Sequence, residues 1–337
     1  MIRLSDYDYK LPKELIAKYP VEPRDACRLM VLDRKNKSIK HRMFRDIIEY
    51  TEEEDLLVLN DTKVIPARLI GKKETGAKIE IFLLRPFSDN EWEVLIKNIK
   101  RLKAGQKVII GEGFYAELIE KYDEGKAKVR LYGEDINSLI KKYGHIPLPP
   151  YIEREDEEKD KELYQTVFAK KEGAVASPTA GLHFTEELLK KLEEKGVKKA
   201  FCTLHVGLGT FRPIQTEDIT KHRMHEEFYQ IPEETINLIQ ETKRKGKRVI
   251  AVGTTVVRTL ETYAKTGKKE GFSNIFIYPP YRFEIVDALV TNFHLPKSTL
   301  ILLVSAFAGR EFILKAYEEA VQKKYRFFSY GDAMLIL

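Results

Sequence analysis

The sequence predicts an α/β protein: a mixed-sheet α/β main domain interrupted by a small antiparallel β-barrel. Three patterns carry this reading. Short β-type runs recur between Val64 and Tyr132 with turn residues between them. Strands and helices alternate after Pro150. The first sixty residues end in an apolar strand at 56–59 and belong with the later strands. The main domain is therefore discontinuous, 1–61 and 151–337, and 62–150 is the insertion.

The barrel runs are 64–70, 78–85, 92–96, 107–110, 115–121 and 127–132, and Gly76, Asp89-Asn90, Gly105, Gly111-Glu112-Gly113 and Asp123-Glu124-Gly125 mark the joints. Six strands suit a small closed barrel, which leaves no exposed edge. The acidic stretch 153–162 reads as an exposed loop or helix. Thr185 is a helix N-cap, Glu186 and Glu187 favour the positive helix start, and Gly196 is the stop. A strand follows at 200–206. Pro232 opens a helix that ends near Gly246, and 248–252 is a buried strand. Gly253-Thr254-Thr255 turns into a helix over 256–264. Runs at 275–278 and 285–291 read as strands, and 298–307 and 311–325 as helices.

The chain has 337 residues, enough for two domains, and 43% of them are hydrophobic, which excludes disorder. Two cysteines, Cys27 and Cys202, cannot build a disulfide framework, so a cytoplasmic location is expected. The N-terminus has no signal-peptide run, and the longest apolar stretch, 300–308, is far below the ~20 residues of a membrane span. Net charge is +6. Residues 62–150 hold 17 Lys and Arg against 12 Asp and Glu, so nearly all the excess lies there. That is a solvated surface or a phosphate-facing one, and charge alone leaves both open.

Six of seven histidines (145, 183, 205, 222, 225 and 294) fall in Gly-, Pro- or Thr-rich segments rather than in regular elements. Histidine exchanges protons near neutral pH. The loop from Ser177 to Thr185, with Thr179, Gly181 and His183, has small residues that let a ligand approach before a helix start. An ordinary helix-entry loop has the same composition. His205 ends a strand before Gly207 and Gly209, where ligands bind in open α/β sheets, but the third glycine of a dinucleotide fingerprint is absent. Thr254, Thr255 and Arg258 suit a carboxylate or phosphate, and equally a tight turn. His222 to Glu226 places His225 beside a carboxylate, suited to acid–base work and weak as a zinc pattern. Asp61 and Arg68 lie at the junction with the barrel. Asp287 reads as a buried strand carboxylate, with Asn292 and His294 just beyond.

Read in order, NDTKVIPARL (60–69), YGHIPLPPYI (143–152), YQTVFA (164–169), SPTAGLHFT (177–185), LHVGLGTF (204–211), HRMHEE (222–227), VGTTVVRTLE (252–261), VDALVTNFHLPKSTL (286–300) and YRFFSYGDAML (325–335) span nearly the whole chain. In these blocks the sequence closely resembles the S-adenosylmethionine:tRNA ribosyltransferase-isomerase (QueA) family of queuosine biosynthesis. Ser177 stands where that family commonly has alanine, and Pro280 where it has glycine.

The resemblance implies an enzyme that uses S-adenosylmethionine as a ribosyl donor. The acceptor is 7-aminomethyl-7-deazaguanine at the tRNA wobble position, and the products are epoxyqueuosine-tRNA, adenine and methionine. It implies no metal and no cofactor beyond that consumed co-substrate. The chemistry needs at least two proton handlers: a base at the acidified ribose 5′ carbon and an acid for departing adenine. His183, His205, His225 and His294 form the pool, with Asp287 as an orienting or basic carboxylate. Expected substrate contacts are Asp61, Arg68, Thr179, Gly181, Gly207, Gly209, Thr254, Thr255, Arg258 and Asn292. Lys97, Lys100, Arg101 and Lys103 on the barrel are expected to face RNA. Partners are then tRNA and S-adenosylmethionine, with no membrane, and the chain is expected to be a monomer. Two rivals are a tRNA methyltransferase using the same donor, which would yield S-adenosylhomocysteine, and a non-catalytic RNA-binding module, which would leave the donor intact.

Overall fold

The computed structural model describes residues 1–211 and 213–337. Strands β1 (Arg28–Asp33), β2 (Ser38–Met43), β3 (Leu56–Asn60) and β4 (Thr62–Val64) precede six barrel strands. These are β5 (Arg68–Lys72), β6 (Lys78–Pro86), β7 (Glu91–Ile96), β8 (Lys107–Gly111), β9 (Phe114–Lys121) and β10 (Lys126–Tyr132), followed by helix α1 (Ile136–Tyr143). The chain continues through α2 (Asp160–Leu163), β11 (Lys171–Ala174), α3 (Glu186–Glu194), β12 (Lys198–Leu204), β13 (Glu227–Gln230) and α4 (Glu233–Arg244). It ends with β14 (Val249–Val252), α5 (Thr254–Thr266), β15 (Glu270–Ser273), β16 (Ala288–Asn292), α6 (Thr299–Ala308), α7 (Arg310–Gln322) and β17 (Ala333–Ile336).

The main sheet has nine strands in the order β15-β13-β12-β3-β14-β16-β17-β1-β2. β12, β3, β14 and β16 run parallel at its centre, and both flanks carry antiparallel pairings, so the sheet is mixed. Alternation sorts the strand residues onto two covered faces. Leu56 and Val58 pack with α4 to α7, whereas Leu57, Leu59, Ile250 and Val290 pack against Leu188, Leu189 and Leu192 of α3 and against Phe44 and Ile47. Burial on both faces explains the unbroken apolar runs. The six barrel strands close on themselves, with Leu69, Ile81, Leu83, Val94, Phe114, Leu118, Val129 and Leu131 filling the interior at every second position.

The predicted architecture is the observed one, with local corrections. The run at 64–70 splits at Pro66, which has no N–H for a ladder. Its first part becomes β4, paired in parallel with β11 outside the barrel, and its second becomes β5. The run at 275–278 forms no ladder; Ile275, Phe276, Ile277 and Tyr278 pack as an irregular segment on the core, and β15 lies just before it. β1, β2, β13 and β17 lie outside the predicted strands: β1 and β17 are apolar runs that take their places only by pairing with each other across the chain's two ends, β2 is mostly polar, and β13 is four residues long. Among the described residues, no helix is long and apolar enough to cross a membrane. Both cysteines are free and buried.

The segment leaving the barrel is tied back to the start of β5 by a bridge of backbone hydrogen bonds between Arg68 and His145, at 3.2 and 2.8 Å. The acidic stretch beside it is not simply exposed. Asp160 is fully buried and accepts from both Arg154 Nη atoms (2.7 and 2.9 Å), the Glu157 N–H (2.7 Å) and the Tyr330 hydroxyl (3.0 Å). Asp160 thereby ties the post-barrel segment to the C-terminal segment; burial pushes its carboxyl up, but the hydrogen bonds from Arg154, the Glu157 N–H and Tyr330 outweigh that and hold it below its usual range. Removing one partner of a buried pair strands the other, at a cost of about 3–5 kcal/mol. Asp160→Ala should lower the unfolding free energy by that amount in urea denaturation; a loss under ~1 kcal/mol would contradict this role.

Candidate active site

The central parallel strands end together, and two buried asparagines replace the ladder there. At the end of β3, Asn60 donates from Nδ2 to the Leu204 carbonyl (3.0 Å) and Thr255 Oγ1 (3.2 Å), and its Oδ1 accepts from the Leu204 and Thr62 N–H groups at 3.1 and 3.2 Å. At the end of β16, Asn292 Nδ2 donates to the carbonyls of Phe328 (2.7 Å) and Ser329 (3.3 Å). Its Oδ1 must therefore accept, and it meets His183 Nε2 at 2.6 Å. That fixes the tautomer: Nε2 carries the proton, and Nδ1 accepts from the Cys27 thiol 3.3 Å away. Burial pushes that thiol well up, so it stays protonated.

His183 is thus a buried strut with both ring nitrogens engaged. Burial lowers it to about 4, against a smaller opposing effect from Asn292. His294 is lowered to about 3, also by burial. Its Nε2 meets Thr291 Oγ1 at 2.8 Å, and its carbonyl accepts from the Tyr9 hydroxyl.

Two cavities lie over these strand ends, and Val206 is in the wall of both. The larger, about 940 Å³, opens between sheet and barrel. His205, Gly207, Gly209 and His225 line it, with Lys63, Arg85, Lys126, Lys141 and Lys161 from the barrel side and its connections. His205 Nδ1 contacts Thr62 Oγ1 at 2.7 Å. Burial lowers its proton affinity, the negative Asp61 partly restores it, and Lys171 lowers it again. Gly173, at φ +144°, lets the His205 ring approach: a Cβ there would stand 2.9 Å from it. Gly209 does the same for His225, where a Cβ would come within 2.4 Å of the ring. A Cβ on Gly207 would meet nothing within 4 Å, so packing does not require that glycine.

The smaller cavity, about 80 Å³, holds a few waters or one small polar group, not a nucleoside. Thr179, Thr254, Thr255, Arg258, Asn292 and His294 line it. α5 opens there on Gly253, at φ 99° and with no side chain to cap the helix, so its first N–H groups face the cavity end uncapped. Arg258 Nη1 pairs with Glu227 at 3.3 Å, and its buried Nε has no hydrogen-bond partner among the described residues. Tyr164 OH and Ser177 Oγ, in the same wall, are also buried and make no hydrogen bond of good geometry among the described residues. Each such group costs about 1–3 kcal/mol unless something binds it. Sequence reasoning passed over Tyr164 and Ser177, although both lie in the motif blocks.

The remaining expected residues lie elsewhere. Asp61 sits behind His205, accepting from Thr203 Oγ1 at 2.6 Å. Gly181 is packed against Phe168 and Thr166, which a Cβ would meet at 2.8–2.9 Å. Arg68 is a clasp at the barrel entrance, pairing with Glu155 (2.9 Å) and Glu80 (3.2 Å). Asp287 is not a buried strand residue: half-buried, it precedes β16 at the opposite end, where Lys243 (2.7 Å) and the Val249 N–H (2.8 Å) hold it. Lys97, Lys100, Arg101 and Lys103 are exposed on the barrel and line neither cavity. Among the described residues no group of three or more His, Cys, Asp or Glu is arranged to hold a metal ion.

A mixed α/β sheet whose strand ends face an inserted barrel across a histidine-bearing cleft is the architecture of an enzyme. The family model described as "Queuosine biosynthesis protein" matches residues 4–336, and the chain belongs to that family, as its motif blocks indicated. It is 69% identical to the S-adenosylmethionine:tRNA ribosyltransferase-isomerase of Sulfurihydrogenibium sp. (strain YO3AOP1), over 100% of both chains. Identity to the proteins of that name from Aquifex aeolicus and Thermotoga maritima is 56% and 54%, again over 100% of each chain. The crystal structure of S-adenosylmethionine tRNA ribosyltransferase from Thermotoga maritima superposes with a TM-score of 0.58 at 45% identity, covering 98% of this chain and 100% of that one.

The two buried imidazoles predict an acid limb of stability. An unfolded histidine titrates near 6.5, and both native values lie below it, so the stabilisation is complete above about pH 6.5 and is lost as pH falls toward 4. At pH 5 each ring costs about 2 kcal/mol relative to pH 7. In urea unfolding, His183→Gln should shrink the difference between pH 7 and pH 5 by about that amount; an unchanged difference would contradict the assignment.

Proposed function

We propose that this chain transfers and isomerises the ribosyl group of S-adenosylmethionine onto 7-aminomethyl-7-deazaguanine at the wobble position of tRNA. The products are epoxyqueuosine-tRNA, adenine and methionine. The observation that carries this reading is full-length identity of 54–69% to enzymes bearing that activity in their names. It needs no metal and no cofactor beyond the consumed donor, and it belongs to a cytoplasmic monomer.

The geometry suits the chemistry in three ways. His205 is depressed by burial, hence neutral at pH 7, and stands in the wall of the large cavity, so it can accept the proton from the ribose 5′ carbon. His225, in the same cavity, is the second proton handler, delivering a proton to the departing adenine while methionine leaves as a neutral thioether. The small cavity suits the amino-acid end of the donor: N–H groups at Thr254 and Thr255 with no side-chain cap favour a carboxylate, and Arg258, Ser177 and Tyr164 offer buried polar atoms that make no hydrogen bond of good geometry among the described residues. Asn292 and His183 then position that floor, and Asp61 and Thr62 position His205. The wide cavity admits the acceptor nucleotide, with the exposed barrel cations Lys97, Lys100, Arg101 and Lys103 attracting the RNA backbone beyond it.

Incubation with adenine-labelled S-adenosylmethionine and precursor-bearing tRNA tests this directly. Free adenine should appear in step with ribosylated tRNA, and His205→Ala should cut turnover at least ~100-fold, the low end of general acid–base contributions. S-adenosylhomocysteine as the product would favour a methyltransferase instead. Near-normal turnover in the alanine variant would remove His205 from the mechanism.

A further inference from the structure

The nine-stranded sheet has β15 at one edge and β2 at the other, and β15 carries an anomaly. Edge strands are normally blunted with charge, yet Phe272, at the centre of β15, is 58% exposed. Among the described residues it is the most exposed large hydrophobic side chain after Met1. Its place is not arbitrary. Phe272 lies directly opposite Phe228 in the β13–β15 ladder, and the His205 N–H donates to the Phe228 carbonyl at 3.0 Å. The three rings form a row: His205 stacks on Phe228 at 5.9 Å between centroids with planes 24° apart, and Phe228 meets Phe272 edge-on at 5.8 Å. All three line the large cavity, so one end of the row is the proposed proton acceptor and the other is the open rim.

The opposite walls are cationic. Lys63 and Lys126 line the cavity and form no ion pair with any described residue, whereas Arg85, Lys141 and Lys161 are paired with Glu93, Glu172 and Glu158. An exposed aromatic face beside unneutralised cations is what splayed-out single-stranded nucleic acid requires, since phosphates need charge and unstacked bases need a π-surface. A protein partner pairing with the edge strand would have no use for the facing lysines.

We propose that Phe272 is the stacking platform for a nucleobase of the RNA substrate, flipped out of the loop beside the modified nucleotide. This rests on the functional reading above and adds a substrate-positioning residue to it. Phe272 takes no part in proton transfer; it holds the loop so that the acceptor nucleotide reaches His205.

The test uses the full chain and an anticodon stem-loop RNA, with Phe272→Ala, Phe272→Leu and Phe272→Trp. Loss of one base–aromatic stack weakens RNA binding by about 5- to 150-fold, so the Ala and Leu variants should show a rise of that size in the Kd for the stem-loop. Phe272→Trp should restore it, because Leu supplies apolar area without a π-face. The Kd for S-adenosylmethionine should stay within twofold of the parent, and the salt dependence of RNA binding should keep its slope, since no phosphate contact is removed. Replacing Lys63 and Lys126 should flatten that slope instead. RNA affinity within twofold of the parent in Phe272→Ala, full rescue by Leu, or a change confined to self-association would overturn the proposal. A parent chain that binds no RNA would overturn the functional reading itself, and this one with it.

Discussion

Where β3 and β16 stop, the backbone ladder is handed to a buried amide side chain. Asn60 and Asn292 each satisfy donors and acceptors from two other segments at once. A primary amide can do this because it offers two donors and an accepting oxygen in one plane. The sheet side of the cavities is held by these two residues: Asn60 ties the ends of β3 and β12 to the start of α5, and Asn292 ties the 179–183 turn to the C-terminal segment. Because the hydrogen bonds are buried, leaving any of them unmade would be expensive, so the ends of four distant stretches are held in one arrangement.

This arrangement separates rigid support from available chemistry. Imidazoles that serve as struts, such as His183, are deeply buried and fully bonded. His205 and His225, by contrast, stand in cavity walls, where glycines clear space for their rings. The same division holds for carboxylates. Asp61 influences His205 from behind, while Asp160 and Asp287 secure the frame and line neither cavity. Two cavities sharing Val206 suit a donor with an amino-acid end and a bulky nucleoside end, and the insertion of a barrel over the wider one brings cations opposite the sheet's aromatic edge.

Much of the architecture was legible because it follows from strong local signals. The barrel strands alternate with glycine-marked joints, and the central strands are unbroken apolar runs. β13 and β15 were not legible: each is four residues long and earns its place only by pairing at the sheet edge. Pro66 was visible in the sequence, yet its consequence, the division of one run between two sheets, depends on a partner more than a hundred residues away. Of the residues expected from composition at strand ends, His205, Thr254 and Asn292 do line the two cavities. Asp287 misled because apolar neighbours suggested burial, whereas its partner Lys243 lies on a helix that sequence proximity does not reveal. Tyr164 and Ser177 escaped because a hydroxyl's burial is a property of the fold, and Phe272 escaped because exposure is.

The central claim is that both cavities belong to one donor site spanning Val206. A crystal structure of the chain soaked with S-adenosylmethionine tests it most directly. The account predicts the donor's carboxylate at the Thr254 and Thr255 N–H groups and its ribose in the large cavity beside His205. Density for the donor in only one of the cavities, or outside both, would contradict it.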